Sequence, residues 1–253
     1  MPHAHPLDII DEKLQRAEEH IKELQVQTDA LLGAAPYTTI TDDDPKELEE
    51  FKRMLTSIRV PPRISIIAGE AINQCRSALD HVAAALVLAN KGTVTNQTQF
   101  PIYPYRPSFE KESVRYEGCL RGMTASAKAL IDREQPFEAK SRENHPLTIL
   151  KRFNNRDKHQ AILVTVAAVR PLVLFDIENT RVSHTPDDLA DFPLPASLDM
   201  NVQRGFAAYV VFPEFGSSKN QPVVESITKL WASVTLSITR KFRVELTKFP
   251  WEP

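Results

Sequence analysis

Residues 70–88 read EAINQCRSALDHVAAALVL, and this stretch decides the fold. The second half, from Val82, is apolar on every side, as a helix surrounded by other elements must be. The first half is apolar on one side and carries Glu70, Asn73, Arg76, Asp80 and His81 on another. Continued upstream to residue 64, the apolar stripe Ile64, Ala68, Ala71, Cys75, Leu79, Val82, Leu86 and Ala89 keeps helical spacing. One long central helix, about 64–89, is therefore expected, ended by the Asn-Lys-Gly-Thr run at 90–93, with Gly92 suited to a left-handed stop.

Other helices are expected around it. Leu7, Ile10, Leu14, Ala17, Ile21, Leu24, Thr28 and Leu31 alternate three and four apart over 7–32 and demand an apolar partner helix. That partner is either another helix of the same chain or a second copy across a dimer seam. Asp44 is a good N-cap and Pro45 a good first helical residue for a helix over 45–58, with Glu47 placed for a capping box. Shorter helices are expected over 120–134 and, with Pro146 at the start, over 146–158. Between them, Phe100–Phe109 (FPIYPYRPSF) is an extended Pro-aromatic segment that reads as a packed loop or an edge.

After His159 the period changes. AILVTVAAV (161–169), LVLFDI (172–177) and FAAYVVF (206–212) are short and β-branched, as buried strands are. A small sheet is expected over about 161–213, followed by an amphipathic helix over about 222–244 with Val224, Ile227, Trp231, Val234, Ile238 and Phe242 on one face. Helices, then strands, then a helix argue for an α+β fold, mainly helical. A single domain is expected, with a helical part over about 1–159, a strand-rich part over about 160–215, and a C-terminal helix over about 222–247 packed on the rest.

Composition excludes some functions. A net charge of −2 over 253 residues gives no global field for nucleic acid or anionic lipid, so any RNA contact needs a local basic patch. The aromatic-basic segments YPYRPSF (103–109) and RKFRVELTKFPW (240–251) are of the type that stacks bases. The apolar runs Val82–Ala89 and Ala161–Val169 are too short to span a bilayer, and the N-terminus lacks a secretory pattern. A cytoplasmic protein without a membrane partner is expected, its Cys75 and Cys119 reduced. The seven glycines form no phosphate loop, and no nucleophile elbow occurs.

Two polar clusters remain. In the first, Glu70, Asn73, Ser77, Asp80 and His81 share a helix face; Arg76 and His81 bracket it about 140° apart, and Asp80 lies one turn after Arg76, within ion-pair reach. The second is Asn154–Gln160 (NNRDKHQ), where Arg156, Lys158 and His159 could hold a phosphate at the end of a helix. Polar islands beside apolar segments need partners, so the two clusters are expected close together. Both also have a structural reading, as ion pairs and helix-end charges that tie elements together.

Arg76-Ser-Ala-Leu-Asp-His81 resembles the Arg-x4–6-His motif of HEPN domains, and with GE (69–70), FPI (100–102), HPL (145–147) and NRDKH (155–159) the chain also looks like a group of uncharacterised bacterial proteins. The HEPN resemblance covers the motif and its helical setting, at most residues 7–160; Ser77 and the later strands depart from it. It implies a homodimeric, metal-independent endoribonuclease of a toxin or defence system. His81 would relay the 2′-OH proton, Arg76 would stabilise phosphate charge, and Asp80, Glu70 and Asn73 would support them. RNA and an antitoxin protein would be the partners, with no cofactor and no metal. Two other readings stay open: a non-catalytic interaction module in which Arg76, Asp80 and His81 form a structural network, and a helical metal protein using His81, Asp80, His145, Asp157 and His159.

Overall fold

The computed structural model describes residues 5–35, 39–41, 44–169 and 205–248; the strand expected over 172–177 lies outside them. The order is α1 (Pro6–Gly33), β1 (Thr39–Thr41), α2 (Pro45–Ser57), α3 (Pro62–Ala89), α4 (Glu110–Cys119), α5 (Ala125–Arg133), α6 (Pro146–His159), β2 (Thr165–Val169), β3 (Gly205–Phe215), β4 (Ser218–Pro222), α7 (Val223–Ala232), a π-helical stretch (Ser233–Thr239) and α8 (Arg240–Leu246). The fold is α+β and mainly helical.

Helix α3 is the axis. All of its expected stripe from Ile64 to Leu86 is buried. The α1 stripe meets α3 of the same chain: Ile10, Leu14, Ala17, Ile21, Leu24 and Thr28 are buried along the α1–α3 contact. The partner that α1 demands is thus intramolecular. Helix α6 packs on another side of α3, and α7 and α8 close the end, where Trp231 Nε1 donates to the Leu14 carbonyl at 2.9 Å.

The sheet is antiparallel throughout, in the order β1-β3-β2, with β4 also on β3. Strand β3 is central: Val210, Val211 and Phe212 are all buried, so both of its faces are covered there. Phe153 of α6 joins it, with ring centroids 4.7 Å from Phe212 and 5.4 Å from Phe215.

Several elements differ from the sequence reading. The helix expected over 120–134 is α5 alone, which starts only at Ala125 because Thr124 Oγ1 caps it by accepting from Ala127 N at 3.1 Å, and a helix that was not expected, α4, ends before it at Cys119. The left-handed residue that ends α3 is Lys91 (φ 56°), and not Gly92. Gly92 serves close approach, since a Cβ there would lie 3.0 Å from the Val87 carbonyl oxygen and 3.1 Å from that of Gly122. The sheet reaches outside 161–213, through β1 and β4. Finally, the C-terminal helix changes to π winding over 233–239. Its buried apolar residues Val234, Ile238, Phe242 and Leu246 are each four apart. In a regular α-helix each such step overshoots a turn by about 40°, and wider turns absorb that drift.

Candidate functional site

The polar side of α3 is divided among three places. The first holds Arg76 and Asp80. Arg76 Nε donates to Asp80 Oδ2 at 3.2 Å, and its Nη2 donates to Asp80 Oδ1 at 2.7 Å and to the Phe100 carbonyl at 2.8 Å. Phe100 N in turn donates to Asp80 Oδ1 at 2.9 Å. The ion pair therefore grips both polar groups of one peptide residue.

The grip continues along the chain. Gln135 Nε2 donates to the Pro101 carbonyl at 2.7 Å, and Tyr103 N donates to Gln135 Oε1 at 3.0 Å. Lys151 Nζ donates to the Ile102 carbonyl at 2.8 Å. An extended chain points its backbone groups alternately to opposite edges. Here residues 100 and 102 turn to α3 and α6, while 101 and 103 turn to Gln135. Residues 100–103 thus behave as a lone strand whose ladder partners are side chains. Phe100, Pro101 and Ile102 are buried, and buried peptide groups need such partners. Gln135 and Lys151 were not singled out in the sequence; the Pro-aromatic run, buried without a strand partner, was the signal that they exist.

The second place holds His81, turned away from Arg76 and toward α1. It is half-buried and has no hydrogen-bond partner among the described residues. Burial pushes its imidazole below the ordinary histidine value; Lys13 acts the same way and Asp80 opposes. His145, whose Nδ1 accepts from Leu147 N at 3.3 Å to cap α6, is also pushed down by burial, against Glu134. In both cases the unfolded chain binds the proton more tightly. Stability is then complete above the ordinary histidine value of about 6.5 and is lost as pH falls through it. The melting temperature should fall between pH 7.5 and 5.5, and His81→Gln with His145→Asn, which keeps a capping acceptor, should flatten that slope. An unchanged slope would contradict this.

The third place holds Glu70, His20 and Asp157. His20, only 5% exposed, lies with Nδ1 3.5 Å from Glu70 Oε2, while Glu70 is half open to solvent. Asp157 of α6 rests against the α3 backbone at Gly69, where an added Cβ would lie 2.3 Å from Asp157 Oδ1. Burial and then the Glu70 charge push the Asp157 carboxyl above its ordinary value. A mid-helix glycine is costly, and the close approach explains this one. In an Asp157→Ala background, Gly69→Ala should raise the unfolding free energy by about 1 kcal/mol, the intrinsic helix gain. With Asp157 present that gain should be absent in urea titrations, because the carboxylate must be displaced.

The expectation that Asp157, Lys158 and His159 lie near the helix of Arg76 and His81 is met in part. Asp157 reaches α3, but at Gly69, and Lys151 is the α6 residue beside Arg76. Six residues of α6 separate the two, about 9 Å. Arg156, Lys158 and His159 are exposed at the far end of α6, away from Arg76 and His81. Asn73 is exposed on α3 between the Gly69 end and Arg76. Arg76 and His81 do not converge within one chain. Among the described residues, no three His, Cys, Asp or Glu side chains are placed to hold a metal ion, so the metal-ligand set His81, Asp80, His145, Asp157 and His159 is not gathered. No described helix is long and apolar enough to cross a membrane. Comparison of the chain with family models, with curated proteins and with solved structures gave no match in any of the three.

Proposed function

We propose that this chain is a non-catalytic binding module, in which Arg76 and Asp80 are structural. The observation that carries this reading is the Arg76 guanidinium, whose side chain is 12% exposed and which gives Nε and Nη2 to Asp80 and the Phe100 carbonyl. A phosphate-stabilising arginine needs its fork open to substrate, and this one holds the protein's own backbone.

A HEPN-like ribonuclease is the second reading. It is favoured by one observation, that His81 has no hydrogen-bond partner among the described residues and is held toward the neutral state a proton relay needs. Because Arg76 and His81 diverge by about 140°, this reading requires a composite site between two copies of the chain. One experiment separates the two. Purified protein is incubated with single-stranded RNA in excess chelator, and its mass is measured by sedimentation. The binding-module reading expects RNA left intact. Cleavage by a dimer, with DNA spared and activity lost in folded His81→Ala, would replace it with the nuclease, since DNA lacks the 2′-OH.

A further inference from the structure

The seam between α1 and α3 holds polar atoms that the fold leaves unsatisfied. His20 stands on the buried side of α1, 5% exposed, and its Nδ1 has no hydrogen-bond partner among the described residues. Buried polar groups ordinarily find a partner, and one without is costly. The group this nitrogen meets is the Glu70 carboxylate of α3, with Oε2 at 3.5 Å. That is beyond the roughly 3.2 Å of an ordinary N–H···O bond. It is the spacing of two ligands on one ion: a nitrogen and an oxygen bound at about 2.0–2.1 Å in tetrahedral geometry lie about 3.4 Å apart. The Glu70 side chain is half open to solvent, so an ion and its waters can enter from that end. The shortfall is not confined to His20. Gln74, one turn after Glu70 on α3, has a buried Oε1 that also lacks a partner among the described residues.

We propose that His20 Nδ1 and Glu70 Oε2 bind one divalent transition ion of the zinc type, with water in its remaining positions. An imidazole nitrogen beside a carboxylate oxygen is a ligand pair that such ions take, and the bond to the metal would satisfy the buried nitrogen. Asp157 strengthens the site from outside the ligand pair. It rests against Gly69, the residue before Glu70, and the Glu70 charge helps push its carboxyl above the ordinary value. Two carboxylates so placed favour a cation between α1, α3 and α6. With two ligands from the protein the ion is exchangeable, and it clips α1 to α3 without being the source of the fold, whose core lies elsewhere in the α1–α3 contact. The site is separate from Arg76 and from His81, so it stands whether or not the chain cleaves RNA.

The test is titration of the full chain with Zn2+ at neutral pH, followed by calorimetry and by thermal shift. Saturable binding that raises the melting temperature is expected, because an ion that binds only the folded chain stabilises it. Both effects should weaken about tenfold or more in Glu70→Gln and in His20→Leu. His3 and His5 at the N-terminus can also take zinc, so the binding that counts is the part these two variants remove. Glu70 is half exposed, so its variant stays informative if His20→Leu fails to fold. Excess Mg2+ should leave the binding unchanged, since that hard ion prefers oxygen to an imidazole nitrogen. Absence of saturable binding, displacement by Mg2+, or Glu70→Gln binding zinc as wild type does, would overturn the proposal.

Discussion

Asp80→Ala is expected to lower the unfolding free energy by about 2–4 kcal/mol, measured by urea denaturation. The change removes the counter-ion of Arg76 and the acceptor of the Phe100 N–H together. Breaking a buried pair from one side costs roughly 3–5 kcal/mol, because the remaining charge stays desolvated without a partner. The expected value is lower because Asp80 is 38% exposed, and water reaches part of the site. Asp80→Asn keeps an acceptor for the Phe100 N–H but loses the charge, so it should fall between wild type and Asp80→Ala. Arg76→Met should cost less than Asp80→Ala. It leaves the Phe100 carbonyl without Arg76, but it strands no buried cation. If Asp80→Ala were neutral, the pair would not be structural.

Phe242→Ala should cost about 3–5 kcal/mol, as deletion of a buried ring does. Phe242 is completely buried, and its ring meets Phe100 edge-on at 5.6 Å between centroids. The loss falls where the C-terminal helices meet the held segment, so it should also loosen residues 100–103. A loss below 1 kcal/mol would mean that this junction is not packed as described.

These two residues show what was legible in the sequence. Phe242 belongs to a periodic stripe, and periodicity alone places it inward. The same signal placed α1 and α3 to within about two residues, and Pro146 marked the start of α6. It failed where no period exists. Helix α4 (EKESVRYEGC) is polar on most sides and buries only Gly118 and Cys119. Strand β1 is three residues long and owes its state to pairing with β3. Strand β4 (SKNQP) is polar, ends in proline, and forms because the turn at Gly216–Ser217 folds it back on β3. That turn is held by Asn144 Oδ1, which accepts from Ser217 N and Oγ, each at 2.8 Å.

The candidate site was half legible. The i,i+4 spacing gave the Arg76–Asp80 pair, and helical geometry gave its divergence from His81. The target of the pair was not legible, because Phe100 lies 24 residues after Arg76. The same holds for Gln135, which reaches across 34 residues to Pro101. Contacts at such separations follow from packing, which local pattern does not encode.

The central claim is that Arg76 and Asp80 exist to hold residues 100–103. Amide hydrogen exchange at Phe100 tests it most directly, since that N–H donates to a side chain and to no backbone group. In the wild-type protein the Phe100 amide should be protected nearly as well as the buried amides of α3. In Asp80→Ala its protection should drop by about 2 kcal/mol or more relative to the α3 amides. A Phe100 amide that exchanges freely in the wild type, or one whose protection survives Asp80→Ala unchanged, would contradict the account.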